Sequence, residues 1–394
     1  RVTVRLWNVK DGTPLWAGQF DEKFTDIFSL QDAVSEKVIT ALKIQMTAAE
    51  RARVYRRYTE NAAAYELYMR GRWHLYRYTQ EGTLAAVAVF EEALRLDPND
   101  ALAHAGLALA SAQMRLRFAR EAEAKRWSER AKQEAHRALE LDPNLAEAHL
   151  ALAAIYRHTE FDWERTIEES RRALELNPSL DLPHFYRAVA FYHLGLLELV
   201  DRELQAGIAI NPENQVEPLR TRGVTALLSG RYAEAVPLLE EVEQLSDQPL
   251  SDSWLAQAYY YSGERARAER ILETLSRSSS ASAASRAQAT LASFLAARGE
   301  RAQAKKRLRA VAARAYMDHH VAHSLGAAYA QLGQPDEAFR WLRQAVDTGF
   351  PCYPWYARDP LLQPLRGDPK FRQLMEDVQK SWKSAKARHA PQRG

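Results

Sequence analysis

The sequence predicts a mostly α chain, a helical solenoid of about eight helix–turn–helix units preceded by a short truncated α/β segment of a hairpin and a helix. Three observations carry this expectation. Asp-Pro or Asn-Pro pairs recur at Pro98, Pro143, Pro178 and Pro212, spaced by 45, 35 and 34 residues. Glycines recur independently at Gly195, Gly230, Gly263, Gly299 and Gly333, spaced by 35, 33, 36 and 34. Small residues stand at matching places in most units, as in Ala86 with Ala93, Ala131 with Ala138, Ala235, Ala268, Ala304, and Ala338 with Ala345.

At the N-terminus Val2, Val4 and Leu6 alternate with Thr3, Arg5 and Trp7, the period of a half-buried strand. Asp11-Gly12 supplies a turn, and PLWAGQF from Pro14 returns antiparallel. A lone hairpin is marginal in water, so the expectation is a larger α/β domain whose earlier part lies upstream of Arg1. Ile27, Leu30, Val34, Val38 and Leu42 then share one helix face. Thr47 and Glu50 have the spacing of a capping box that opens another helix.

From about residue 61 the strand signals vanish and the units begin. In HSLGAAYAQLGQPDEAFRWLRQAV, from His323, the first helix carries Leu325, Gly326 and Tyr329, and Gly333 closes it. Ala338, Leu342 and Ala345 form the stripe of the second helix. Where a unit ends in Asp-Pro, the proline lacks an N–H and restricts its predecessor, so the second helix stops there. The pair is thus the hinge between one hairpin and the next.

Departures from regularity are equally local. Phe118–Arg126 accounts for the long first interval and should lengthen two helices. Gly207 stands where the fourth unit should carry alanine, and the serine-rich run at 276–285 reads as a loosened, mobile join. The expected boundaries are 1–57 for the α/β remnant and 58–349 for the solenoid. A proline-rich wrap with a capping helix follows at 350–382, then a disordered basic tail at 383–394.

Spacing, turn residues and small-residue positions together resemble the tetratricopeptide repeat over about residues 61–349. The resemblance implies a right-handed superhelix whose concave face is lined chiefly by the first helix of each unit. LWAGQFDEKFTDIFSLQDAVSEKVITAL, from Leu15, is similar to the end of the TolB amino-terminal-like α/β domain. In bacterial regulators that domain precedes such repeats, behind a winged-helix, protein-kinase or adenylate-cyclase module. YTENAAAYELYMRGRWHLYRYT resembles the usual junction in those proteins, and GFPCYPWYARDPLLQPLRGDPKFRQLM resembles their usual end.

Composition narrows the function classes. Lys plus Arg number 54 against 51 for Asp plus Glu, a net charge of +3 with the signs interleaved. That pattern argues against a nucleic-acid stripe or a polybasic membrane surface. The single cysteine, Cys352, excludes an internal disulfide framework and reads as a packed thiol. No apolar run reaches membrane-spanning length. There is no glycine-rich phosphate loop, Gly-x-Ser-x-Gly turn or His-Glu-x-x-His. Arg358-Asp359 lacks the His and Asn of a kinase catalytic loop and reads as a polar turn. His319 and His323 share a helix face at zinc-ligand spacing, but no third or fourth ligand is evident, so no metal and no cofactor are expected. Trp73, Trp163 and Trp341 fall on helical stripes and read as core.

The expected function is a non-catalytic scaffold that docks a peptide or helix of a partner protein in the concave groove. Carrying the family's first-helix positions over gives Leu150, Arg157 and His158 in the third unit and Phe185, Val189, Tyr192 and His193 in the fourth. The fifth gives Arg220, Val224 and Leu227, and the sixth gives Ser253, Gln257, Tyr260 and Tyr261. Arg157 and Arg220 suit an acidic side chain or a C-terminal carboxylate. They do not repeat the Lys/Arg/Asn pattern of members that bind chaperone tails. The alternative is the sensory half of a bacterial signalling protein whose effector lies upstream. The expected compartment is the cytoplasm, or the periplasm if a membrane span precedes this chain. The oligomeric state stays open, because the helix from Pro369 to Trp382 could cap the solenoid or bridge to another copy.

Overall fold

Four helices end on the same local device. The residue before each proline is pushed out of the helical region, and Asp97, Asn177 and Asn211 take φ near −140° with ψ near 90°. The Asp or Asn side chain then folds over the turn. Asp97 accepts from the Asn99 N–H at 3.0 Å, Asp142 from Asn144 at 3.0 Å and Asn177 from Ser179 at 3.1 Å. A backbone bond from the third residue on closes each turn, as from Asp100 to Asp97 and from Leu145 to Asp142, both at 3.2 Å. An arginine of the next unit tethers two of these turns: Arg137 donates to Asn99 at 3.0 Å and Arg172 to Asn144 at 3.2 Å.

The computed structural model describes residues 2–7, 13–20, 27–42, 46–48, 51, 54–119, 121–245, 249–313 and 316–390. Strands β1 (Val2–Trp7) and β2 (Pro14–Phe20) pair antiparallel, with Leu6 opposite Trp16. They are the two strands among the described residues, and α1 (Ile27–Ala41) follows. Asp11-Gly12 and Glu50 lie outside the described residues, so the turn and the capping box are not placed.

Eight hairpins come next. They are α2 (Ala62–Leu75) with α3 (Gln80–Leu96), α4 (Ala101–Gln113) with α5 (Glu121–Leu141), and α6 (Ala146–Ile155) with α7 (Trp163–Leu176). Then come α8 (Leu182–His193) with α9 (Leu197–Ile210), and α10 (Val216–Leu228) with α11 (Tyr232–Leu245). Last are α12 (Pro249–Ser262) with α13 (Arg265–Leu275), α14 (Ala281–Ala297) with α15 (Arg301–Ala312), and α16 (His319–Gln331) with α17 (Pro335–Asp347). First helices of neighbouring units pack side by side, so one apolar core runs the length of the solenoid. In the second, third and fourth units the same pair ties first helix to second: His104 to Glu134, His149 to Glu169 and His184 to Glu203, at 2.6, 2.7 and 2.8 Å.

All five recurrent glycines adopt positive φ, between 68° and 100°. A bond from the following residue spans each of these turns, for example Leu196 to Phe191 at 2.8 Å and Gln334 to Tyr329 at 3.0 Å. This is the Schellman closure, which satisfies carbonyls the helix leaves open. Units lacking that glycine turn differently. In the second and third, the first helix widens into single π turns at Met114–Phe118 and Tyr156–Glu160. Tyr78 and Phe161, without the freedom of glycine, take the left-handed conformation at φ 52° and 56°.

Three expectations change. The serine-rich run is where the superhelix closes: Ala281 to Ala296 are all buried. Ser280 and Ser282 donate to the carbonyls of Arg117 and Leu116, in the second unit, at 3.4 and 3.1 Å. The basic tail is helical to His389, continuing α19 (Pro369–His389), because Ala385 packs on the core and Lys386 meets Glu198 at 2.6 Å. Trp73 is 62% exposed, whereas Trp163 is buried and Trp341 half-buried.

The wrap, α18 (Tyr353–Arg358) and the 3₁₀ turn Pro360–Leu365, lies against the interior of the superhelix. Tyr261 donates to Asp359 at 3.0 Å, Gln331 to the Leu361 carbonyl at 2.7 Å, and Trp163 to the Gly349 carbonyl at 2.5 Å. The last helix closes the joint from outside, its Trp382 donating to the Gly195 carbonyl at 2.9 Å and stacking on Tyr353.

Candidate functional site: the inner wall of the superhelix

The first helices line the interior, and of the residues expected there Arg157, Val189, Tyr192, His193 and Arg220 surround one cavity, whereas Phe185 packs against Gly207 of the second helix of its own hairpin. The structure does not leave the expected residues as an open groove. Arg157, His158, Phe185, Val189, Tyr192, His193, Arg220, Val224, Leu227 and Ser253 are all buried, as is Leu150 at the N-terminal end. Gln257, Tyr260 and Tyr261 are half-buried. The physical reason is the aromatic content of the wall: side chains of this size gain more by packing on one another between neighbouring units than by facing water. Tyr260 stacks on Phe294 with centroids 3.5 Å apart, and His193 lies flat on Trp163 at 3.8 Å.

Halfway along, four charged residues from three units converge. The Glu217 carboxylate, fully buried, accepts from Arg220 Nη2 at 2.7 Å and Nε at 3.3 Å. Arg117 donates to Oε2, the oxygen it shares with Arg220 Nε, at 3.2 Å, and Arg157 pairs with Oε1. Burial alone would raise the Glu217 pKa, but Arg157, Arg220 and Arg117 hold it well below the ordinary range. His158 beside them is fully buried, and burial, reinforced by Arg157 and Arg117, keeps its imidazole neutral far below pH 6.5. Further along, Arg286 places Nε and Nη2 on one oxygen of Asp318 at 2.8 and 2.7 Å.

Next to these pairs, His193, His319 and His320 bring ring nitrogens within 4.8 Å of one another. The His193 Nδ1–H donates to the Val189 carbonyl at 2.8 Å, which leaves Nε2 as an acceptor 3.2 Å from His320 Nε2. His319 therefore associates with His193 and His320, whereas His323 faces Asp359 at 3.5 Å. Burial pushes the pKa of all four histidines down, to about 4 for His319 and about 3 for His323. Neutral imidazoles are what a metal requires, but Arg286, Arg157 and Arg220 share the wall and work against a cation there.

Among the described residues, cavities interrupt the packing at two places along the inner wall. One of about 50 Å³ is bounded by Arg117, Arg157, Arg220 and Arg286 with Tyr192 and His320. The other, about 40 Å³, lies at the N-terminal mouth against Leu109, Leu150, Leu180 and Leu182. Through Tyr68, Arg72 and Glu147 it adjoins a cleft of about 610 Å³ between α1 and the first units. Cys352 is fully buried and its thiol is pushed up to about 12, a packed and inert group.

Sequence reasoning missed Glu217, Arg117, Arg286 and Asp318. Glu217 and Arg220, three apart on one helix, were a local signal. Arg117 is 100 residues from Glu217, and no local pattern marks that distance.

Comparison with known proteins agrees with this architecture. Tetratricopeptide-repeat families match residues 226–291 and 319–348, so the chain carries these repeats. A putative adenylate cyclase 3 of Rhizobium meliloti is 30% identical over 109 residues, which is 28% of this chain and 19% of that protein. The match thus spans about a fifth of the curated relative's length. Yeast Tom70 is 15% identical over 94% of this chain and 78% of its own, with a TM-score of 0.38. A tetratricopeptide repeat protein of Parabacteroides merdae is 12% identical over 81% of this chain and 100% of its own, with a TM-score of 0.35. Among the described residues no helix is long and apolar enough to cross a membrane.

Proposed function

We propose that the chain is a non-catalytic docking scaffold, and that it takes a peptide or helix of a partner protein at the N-terminal mouth of the concave face. The observation that carries this is the cleft of about 610 Å³, which joins the inner wall through Tyr68, Arg72 and Glu147. It offers apolar anchors in Leu30, Val34 and Val54 beside charges of both signs, as an amphipathic helix requires. The remaining inner-wall residues expected to bind, from Arg157 to Tyr261, then act as the packed support behind the mouth.

The test uses a panel of fluorescent amphipathic helical peptides and measures anisotropy. Val54 lines the cleft and is 48% exposed, so Val54→Asp should keep the fold and weaken the best peptide about tenfold or more. Leu84, 43% exposed and away from the cleft, supplies the control Leu84→Asp, which should change nothing. Equal behaviour of the two variants, or no binding across the panel, sinks the assignment.

A second reading is supported by the cyclase relative and by the hairpin at the N-terminus. In it this chain is the sensing half of a longer bacterial regulator, and the hairpin and α1 are the remnant of a TolB-like domain. Its check is the reading frame upstream of Arg1, which should continue into a cyclase, kinase or winged-helix module.

A further inference from the structure

We propose that the buried chamber at the centre of the superhelix is a binding site for a small oxyanion, a phosphate or a carboxylate group. Four guanidiniums, those of Arg117, Arg157, Arg220 and Arg286, bound one cavity, and the carboxylates paired with them are Glu217 and Asp318. Leaving Arg117 aside, three cations still share two anions. Each of these side chains is less than a tenth exposed. An unbalanced charge removed from water costs several kcal/mol unless an opposite charge accompanies it. A wall built this way is therefore stabilised by an anion.

Among the described residues lining the chamber, none adds negative charge. His193, His319 and His320 are held neutral and so do not add to the excess; the His193 N–H is given to Val189 and its Nε2 faces His320, which leaves the His319 ring to offer an N–H to an oxyanion. Trp163 and Trp254 complete the lining with apolar surface that strengthens each ionic contact by excluding water. Size limits the occupant. About 50 Å³ exceeds what one water needs, roughly 10–15 Å³, and is far too little for a peptide or nucleotide. The chamber lies next to the surface. Phe161 and Trp163 line both the chamber and a surface cleft of about 700 Å³, and Phe161 is the residue held in the left-handed conformation. The inference is independent of where a partner protein docks.

The experiment titrates the full chain with inorganic phosphate and, separately, with acetate, following the thermal midpoint against sodium chloride at equal ionic strength. One of the two should raise the midpoint where chloride does not. Phosphate ahead of acetate identifies a phosphate group as the ligand chemistry, and the reverse order a carboxylate. Arg157→Gln leaves Arg220 and Arg117 on Glu217 and should weaken the preferred anion about tenfold or more. Arg157→Lys, which keeps the charge, should recover part of the loss. If the variants do not fold, phosphorus NMR of phosphate with the unaltered chain, in competition with acetate, decides. Anion effects equal to those of chloride, or an unchanged response in folded Arg157→Gln, overturn the proposal.

Discussion

Asp359 is a fully buried carboxyl at the start of the 3₁₀ turn, where it accepts from the Leu361 N–H at 2.9 Å and from the Tyr261 hydroxyl at 3.0 Å. Burial raises its pKa to about 6, against the opposing pull of those two donors. His323, 3.5 Å away, is itself neutral and gives no ion pair at physiological pH. The folded chain holds the proton more tightly than the unfolded one, whose aspartate titrates near 3.8. The stabilisation from this residue is therefore complete below about pH 3.8 and lost as the pH rises through 6. Asp359→Asn keeps an acceptor for both donors without the buried charge. It should raise stability near pH 8 by an amount of order 2 kcal/mol, with the gap closing below about pH 4. Urea unfolding at the two pH values checks this, and a gap that does not vary with pH would count against it.

Packing between helices is set by residues too small to attract notice. Gly207, on α9, is the departure from the alanine stripe, and the reason is Phe185 on α8: a Cβ added at position 207 would stand 2.5 Å from its ring. Phe185 is fully buried with nowhere to retreat. Gly207→Ala gains up to about 1 kcal/mol of helix propensity but should lose about 1–3 kcal/mol to overpacking. The net expectation is destabilisation, read as a lower urea midpoint at unchanged slope; an unchanged or higher midpoint would show that Phe185 can move. At this scale much was legible. Asp-Pro and glycine act within a few residues of themselves, so their turns followed from the sequence. The π turns at Met114–Phe118 and Tyr156–Glu160 carried no such mark, because they come from crossing contacts such as Arg115 to the His158 carbonyl at 2.8 Å.

Across the whole molecule, closure of the superhelix on itself governs the response to acid. His158, His193, His319, His320 and His323 are buried neutral, with pKa values pushed below the ordinary 6.5. Unfolding frees them to take protons, so their contribution is full above about pH 6.5 and falls as the pH drops below it. Glu217, depressed by its arginines, adds a loss of the same sign at lower pH. Asp359, Asp100, Glu147 and His104, all shifted upward, oppose them, but four groups stand against the five histidines and Glu217. The thermal midpoint should therefore decline steadily from about pH 6.5 downward, and the inner-wall aromatics should become accessible to a hydrophobic dye in the same transition. A midpoint that is flat between pH 6.5 and 4 would contradict the buried, neutral state of these histidines.

Sequence alone specifies most of the unit: where the glycine-closed hairpins turn, where the four Asp-Pro or Asn-Pro units stop, and which small residues let the helices touch. Those are short-range matters of backbone conformation and side-chain size, and each recurs often enough to be counted. Only the tertiary structure decided what the inner wall does, by bringing Ser280 to Arg117 and Trp163 to Gly349 across 163 and 186 residues. The angle between successive hairpins sets whether the superhelix stays open or closes, and that angle is a sum of many small packing choices. Here the sum closes the wall on its aromatics and gathers four arginines around two carboxylates.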